Sequence, residues 1–588
     1  MTSRSLIRII LSGAVVASGF AVATAPADAG RTASRTVPVR LLSLNDFHGH
    51  LEPPTGSAGR MVDEHGATVD AGGAAYVAAH LDRLTNADTL KVAQGDLIGA
   101  TPLISAAYHD EPSVEFLGKV GVTVSAVGNH EFDEGYDELK RIMYGGCHPV
   151  DGCSPAGRWQ GAEYDYIGAN VLFKQPSAAA ERAALTQLQK APAFKPDLVR
   201  RVLRDYGIPA LPPVAVRWKN GVPIGFIGLV TKSTPSIVTS EGIKDLRFID
   251  EVKAANVASR LLKLVGVKAQ VVLVHEGDQV TPSQSPDACS AVPGEGNRIA
   301  TQVDPEIDMV LSGHSHQAYL CNLPDPAGRD RLYSQGGSFG RVITQVDFRV
   351  DARSRDIVRT SVVADNHVVT RSVTPDPEIA DFVQTWKERV APVANRQVGS
   401  VSADITRVPV PSGETQLGNL IADAQFEAVK TGGNAEIALM NPGGVRADLT
   451  YAPDGVVTYG ETFTVQPFNN LTQVVTLTGA QLDALLEQQF QVNRVLAPSA
   501  SLTYTVSASA PVGSRVSNIA INGQPVAETR QVRVAANNFL IGGGDGFSVF
   551  TQGTDLWSGP LDIDALVDYL GARSPVAPPA TDRITLVP

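Results

Sequence analysis

The sequence predicts an α/β first two-thirds joined by a helix to a smaller α+β last third, and three observations carry that reading. Five apolar, strand-like runs in the first part each end in side chains able to bind metals or move protons; a helix-like stretch follows near residue 376; beyond it the composition turns to Thr/Val-rich alternation. No histidine lies after His367. Chemistry that needs imidazole therefore belongs to the first part, and the last third must contribute something else.

Size and charge narrow the function. A chain of 588 residues forms more than one hydrophobic core. The formal net charge is -12, from 61 acidic and 49 basic residues with no Lys/Arg-rich run, which argues against a nucleic-acid polymer as partner. A small anionic ligand is still compatible, because a local site can be positive in an acidic protein.

The first residues read as a secretory signal, residues 1–29. Arg4 and Arg8 precede an apolar stretch from Ile9 to about Val22, and Ala27-Asp28-Ala29 is a small-x-small cleavage pattern. A membrane anchor is the rival reading, but Ser12, Gly13, Ser18 and Gly19 dilute the apolar part and it is short for a span. With no Cys after the cleavage pattern and no apolar closing tail, the expectation is a secreted protein without a membrane span in its mature form.

The expected organisation is a first domain over 38–372, a linking helix over 373–397 and a second domain over 398–588. Pro375–Glu378 resembles a helix start, and Ile379, Phe382, Val383, Trp386 and Val390 recur at roughly helical spacing. After it, "FTVQPFNNLTQVVTLTG" and "QVRVAANNF" suggest β structure, with helices such as "GAQLDALLEQQF" between. Segment 174–210, rich in Ala, Lys and Arg, reads as surface helix and loop.

Four cysteines fit two disulfides in an oxidising compartment, and four allow three pairings. Cys147–Cys153 with Cys289–Cys321 is favoured because the first pair flanks the turn-forming "HPVDG". A structural metal on "CH…C" is the rival; its remaining ligand would have to come from far away.

The five runs are "VRLLSLNDFH" with Asp46 and His48; "LKVAQGD" with Asp96; "TVSAVGNHEFD" with Asn129, His130 and Asp133; "QVVLVHEGD" with His275; and "IDMVLSGHSH" with His314 and His316. Loops at the carboxyl ends of strands in an open α/β sheet gather on one edge, so distant groups can converge there. Taken singly each cluster has an ordinary structural role as a cap, a loop acid or a satisfied histidine. Their repetition is what points to a shared site. Three or four protein groups suffice for one zinc-like catalytic ion. The groups available here are too many for one ion and suit two ions about 3.5–4 Å apart sharing a carboxylate, the clamp used for in-line attack on phosphorus.

At this point the motifs "DFH", "GD", "GNHEFD", "VHEGD" and "GHSH", in that order, resemble the two-metal calcineurin-like phosphoesterases, and within them the secreted 5′-nucleotidases and UDP-sugar hydrolases. "GETQLGNLIADAQ", "NPGGVR", "QPFNN" and "NNFLIGGGDGF" resemble that subfamily's C-terminal nucleotide-binding domain, so the likeness spans nearly all the mature chain. The resemblance implies a four-layer α/β/β/α metallophosphoesterase domain, a linking helix and a C-terminal α+β domain.

It also implies roles. Asp46, His48 and His316 would hold one divalent metal, Asn129, His275 and His314 the other, and Asp96 would bridge them; zinc and manganese are the candidates. Relatives with Gln or Asn in place of His316 leave the first metal's preference open. His130 and Asp133 would be a catalytic dyad. Phe468 and Phe539 would stack on a nucleobase, Arg446 would pair with phosphate or carboxylate, Asn441, Gly443 and Asn470 would line the same pocket, and Asp545 would take ribose hydroxyls. Arg407 would offer a second phosphate contact, although the spacing there departs from relatives.

The resulting expectation is an exported hydrolase of nucleoside 5′-monophosphates, with other 5′-nucleotides and UDP-sugars as further substrates of a small-molecule site. The oligomeric state is open. Rivals are a 2′,3′-cyclic-nucleotide phosphodiesterase/3′-nucleotidase, a thiosulfate-ester hydrolase, and a non-enzymatic nucleotide-binding or adhesive protein. No phosphate-cradling G-x-x-x-x-G-K-[ST] loop or Rossmann pattern competes with these readings.

Overall fold

A computed structural model describes residues 36–176, 206–238, 240–281, 285–468 and 470–587. The signal-like stretch and most of segment 174–210 lie outside the described residues.

Two six-stranded sheets form the centre of the first part. One runs in the order Val363–Val368, Val342–Asp351, Thr36–Leu44, Thr89–Ala93, Val122–Ala126, Asp165–Ile167. The other runs Ala318–Pro324, Asp330–Gly336, Met309–Ser312, Ala269–His275, Val222–Val230, Val214–Lys219. In each, four consecutive strands are parallel and the remaining neighbours antiparallel. The parallel strands read as continuous apolar runs because both faces are covered: every residue of Val222–Val230 and Ala269–His275 is buried.

The inner faces pack on each other through Leu41, Val92, Val124, Phe226, Val271 and Leu311, which share one core. Helices Ala74–Leu84, Glu111–Lys119 and Tyr136–Tyr144 contribute to the core outside the first sheet, and Glu251–Leu264 and Glu295–Gln302 to that outside the second. The result is a four-layer α/β/β/α sandwich.

The last third is α+β. A mixed five-stranded sheet, ordered Ala497–Pro498, Ile437–Met440, Gln531–Asn537, Leu471–Thr478, Thr554–Leu561, is accompanied by helices Gln416–Val429, Gly479–Val492 and Asp562–Arg573. A second sheet of four strands includes Leu502–Ser507 and Ile584–Val587.

Between the two parts runs helix Pro377–Ala394. Asp376 caps it by accepting the Ile379 N–H, and Pro377 occupies the first turn, where a missing N–H costs nothing. Ile379, Trp386 and Val390 are buried in the same core as the first part's helices, together with Phe463 and Ile563 of the last third. The helix is thus packed on both sides.

One local expectation differs. The β-like "FTVQPF" includes the end of helix Tyr459–Val465, because Thr458 and Glu461 form a reciprocal capping box that supplies the first-turn partners a strand would not need. Strand begins only at Leu471. Cys147 pairs with Cys153, and Cys289 with Cys321.

Phe226 is fully buried between the sheets. Phe226→Ala should destabilise the first part by ~3–5 kcal/mol, read as a lower urea midpoint at unchanged slope.

Candidate active site

Each predicted ligand follows, or ends, a parallel strand. Asp46 and His48 follow Thr36–Leu44, Asp96 follows Thr89–Ala93, Asn129 and His130 follow Val122–Ala126, His275 ends Ala269–His275, and His314 and His316 follow Met309–Ser312. The turns that aim them are strained. Asp46, His48, Asp96, His314 and His316 all have φ between 45° and 76°, a region that costs a non-glycine residue about 1–3 kcal/mol when the surroundings hold it there.

Two donor sets result. Asp46, His48 and His316 present one atom each within 4.8 Å of one another, as do Asp96, His275 and His314; His48 and Asp96 also form such a group with His130 of the expected dyad. Asp96 Oδ2 stands between them, 2.8 Å from His275 Nε2 and 3.7 Å from His48 Nε2.

Proton positions show what the sets lack. His48 Nδ1 lies 2.8 Å from the Gly99 carbonyl and His275 Nδ1 2.7 Å from that of Gln94, so these nitrogens donate and the Nε2 atoms carry bare lone pairs in the neutral rings. His48 Nε2 faces His316 Nε2 at 3.2 Å. Asn129 Oδ1 is buried with no hydrogen-bond partner, and His275 Nε2 has none in hydrogen-bond alignment despite its closeness to Asp96. Converging acceptors of nitrogen and oxygen type fit two divalent cations.

The electrostatics agree. Burial opposes charge on His275, yet the Asp96 and Asp46 carboxylates outweigh it and raise the ring to about 10; this pocket attracts positive charge. His314 goes the other way, down to about 3, through burial and the neighbouring His275. Burial pushes Asp46 and Asp96 up, but the facing imidazoles hold both below the usual carboxylate range.

Several supporting residues went unnoticed in the sequence. Asn45 donates to Asp46 Oδ2 (2.7 Å) and to the Gly337 carbonyl, and accepts from Gly336 N–H. Glu131, inside "GNHEFD" itself, accepts the N–H groups of Asp96, Leu97 and Gly128, and burial followed by the Asp96 charge raises it to about 7. Both could have been suspected from adjacency to a ligand. His50, two residues beyond His48, is not brought into either donor set; its ring stacks on Phe339 at 4.1 Å and its Nδ1 faces the Phe47 and His48 carbonyls.

His130 Nδ1 is 2.7 Å from Asp133 Oδ2. Burial lowers the His130 basicity, but Asp133 and Asp96 reverse this and leave it raised. From the last third, the Phe468 ring lies on His130, with centroids 5.7 Å apart, and Arg446 sits 5.9 Å from Phe468. Arg446 shares a crevice with His50, Ala100, Pro102, Phe339 and Thr464, so both parts of the chain line it.

The other pocket residues separate into two groups. Asn441 donates to Asp545 Oδ2 at 2.8 Å, and the open side of Gly443 faces Asn441, Asp545 and Arg494, a cation the sequence reading did not select. Phe539 packs against Gly544, where a Cβ would stand 2.6 Å from its ring; that glycine permits the approach. The Asn470 amide reaches instead toward Asp562 Oδ2, at 3.4 Å. Arg407 lies close enough to Arg446 to lower its basicity, after the larger effect of burial.

Two expectations follow. A Cβ on Gly128 would lie 2.1 Å from Asp96 Oδ1. Gly128→Ala should therefore weaken divalent-metal affinity by about 10–100-fold, measured by dialysis with the circular dichroism unchanged. Burial raises Asp562 to about 7, above its unfolded value near 4, so its contribution to stability is full below about pH 4 and is lost as pH rises through 7. Asp562→Asn should stabilise the chain more at pH 8 than at pH 4, compared by denaturant midpoints.

The chain is similar to known proteins. Residues 392–552 match the family described as 5′-nucleotidase, C-terminal domain. The chain is 32% identical to the cell wall protein Lmo0130 of Listeria monocytogenes over 92% of its own length and 68% of that protein's. It is 30% identical to the endonuclease YhcR of Bacillus subtilis, covering 94% of this chain but 41% of that one. The crystal structure of the 5′-nucleotidase precursor from Thermus thermophilus superposes with a TM-score of 0.73 at 25% identity, over 94% of this chain and 99% of that one. With its metallophosphoesterase sandwich and its C-terminal nucleotidase domain, the chain belongs to the 5′-nucleotidase family of phosphoester hydrolases.

Proposed function

We propose that this chain is an exported enzyme that releases phosphate from nucleoside 5′-monophosphates, with other 5′-nucleotides and UDP-sugars as further substrates. The observation that carries the reading is the approach of Phe468 and Arg446, from the last third, to His130 beside the two donor sets. A nucleotide is the ligand that needs both an aromatic face and a phosphate-handling centre. The names of the Thermus and Listeria relatives, a nucleotidase precursor and a cell wall protein, support nucleotide hydrolysis outside the cytoplasm.

Asp46, His48 and His316 would hold one cation and Asn129, His275 and His314 the other, with Asp96 between. Two bound zinc or manganese ions would lower the pKa of the attacking water and offset charge on the phosphoryl oxygens. The protein's own groups do the rest. Asp133 accepts from His130 Nδ1 and so fixes the ring with Nε2 free to face substrate. Asp133 and Asp96 raise its basicity against burial, which suits His130 to donate a proton to a phosphoryl or leaving oxygen as charge develops. Arg446 offers a planar fork to the anionic group, and the Asp96 and Asp133 carboxylates support its charge against burial. Phe468 gives the base a stacking face, and Phe539 would give the second. Asn441, Gly443 and Asp545 form the adjoining polar pocket that suits ribose hydroxyls.

Purified protein should release phosphate from AMP faster than from 3′-AMP or cyclic 2′,3′-AMP. A chelator should abolish turnover, and Mn²⁺ or Zn²⁺ restore it. Preference for the cyclic or 3′ substrate would shift the assignment to the 3′-nucleotidase alternative. His130→Ala should lower kcat by about 10²–10⁴-fold at unchanged metal content.

A further inference from the structure

A second cluster of donors stands outside the seven ligands and the dyad. His109 follows the short helix Leu103–Ala106, and His148 and Asp151 lie in the hairpin closed by Cys147–Cys153. His109 Nε2 is 3.0 Å from Asp151 Oδ2, and His148 Nδ1 is 3.1 Å from the same oxygen. The two imidazoles are stacked, with centroids 3.7 Å apart and planes 18° from parallel. One donor atom from each of the three residues falls within 4.8 Å of the other two.

The proton positions decide what this cluster needs. His109 Nδ1 lies 2.8 Å from Glu134 Oε2, which can only accept, so that nitrogen carries the proton. In the neutral ring Nε2 is then a bare lone pair pointed at a carboxylate. His148 Nδ1 is unprotonated as well, since it accepts the Asp151 N–H at 3.1 Å. Apart from that exposed bond, His109 Nε2 and His148 Nδ1 both face Asp151 Oδ2, an arrangement that positive charge among them relieves.

A second proton on His109 is one source of that charge. Burial opposes it, while Glu134, Glu138 and Asp151 outweigh burial and raise the ring's basicity. Such an imidazolium satisfies His109 but gives His148, stacked on its face, nothing to coordinate. A cation engages all three groups, at the cost of the exposed hydrogen bond that now occupies His148 Nδ1. The frame is prepared for it. His148 and Gly152 exchange both backbone hydrogen bonds, the disulfide closes the hairpin's base, and His109 is held at φ 49°, strain of the same kind as at the ligands above. Glu134 has the position of the carboxylate that orients a metal-bound imidazole through its other nitrogen.

We propose that His109, His148 and Asp151 bind one divalent cation of the zinc type, separate from the two at the candidate active site, with Glu134 orienting His109. Two nitrogens and one oxygen suit zinc, whereas calcium and magnesium require oxygen-rich shells. Asp151 is mostly exposed, which leaves room for water at the fourth position. The ion ties the 147–153 hairpin to His109, whose other nitrogen Glu134 holds, and it touches neither the dyad nor substrate.

The test is zinc stoichiometry by elemental analysis after equilibrium dialysis, comparing the full chain with a His148→Gln/Asp151→Asn double variant in the exposed hairpin. The variant should bind one zinc fewer and hydrolyse AMP at the unaltered rate. The same deficit of one should appear in an Asp96→Asn background, so the result does not depend on the active-site pair. In the unaltered chain, zinc should also protect His109 and His148 from carbethoxylation, read by mass spectrometry. Equal zinc content with and without the double substitution, or no protection of the two histidines, would overturn the proposal.

Discussion

Asp46 and Asp96 are carboxylates with almost no solvent contact, placed among imidazoles whose free nitrogens carry lone pairs. A buried carboxylate without compensation is among the most expensive things a protein can contain. Much else in the molecule can be understood as the arrangement that makes this cluster tolerable and useful. Backbone N–H groups of His314 and His130 donate to the two acids, Asn45 adds a side-chain donor, and the histidines lean on carbonyls that orient them.

Holding such a cluster requires rigidity, and the four-layer sandwich supplies it. The two sheets are joined through a dry apolar interface, and the parallel strands in each deliver their carboxyl ends to a common place. Left-handed backbone at five of the seven predicted ligands is sustainable only on such a support. Glycine does complementary work: Gly95 and Gly128 let the loops bearing Asp96 and Asn129 approach backbone to backbone, a spacing that any Cβ would prevent.

The last third depends on the same frame by a different route. Helix Pro377–Ala394 places Ile379, Trp386 and Val390 in a core shared with Phe463 and Ile563, so the approach of Arg446 and Phe468 to His130 rests on hydrophobic packing beyond the site. Glu131 plays a comparable part within the first domain, using one buried carboxyl to fasten the Asp96 and Gly128 loops together.

Much of this was legible in the sequence. Apolar runs ending in Asp, Asn and His identify strand ends, because a buried parallel strand must be apolar and a ligand must sit where it stops; the cysteine pairs and the linking helix were readable for equally local reasons. What stayed hidden was whatever depends on the identity of a partner far along the chain. Glu131 and Asn45 look like ordinary loop polars until the backbone groups they satisfy come into view. His50 resembles its neighbour His48 until Phe339 arrives beneath it. The capping box at Thr458 outweighed the β-like alternation that follows it, and Asn470 turned toward Asp562. Sequence by itself determined the chemistry available and the elements that carry it, since periodicity and side-chain type are local properties. Only the tertiary structure decided which lone pairs face each other without a proton between them, because that depends on distances of a few ångströms between residues hundreds of positions apart.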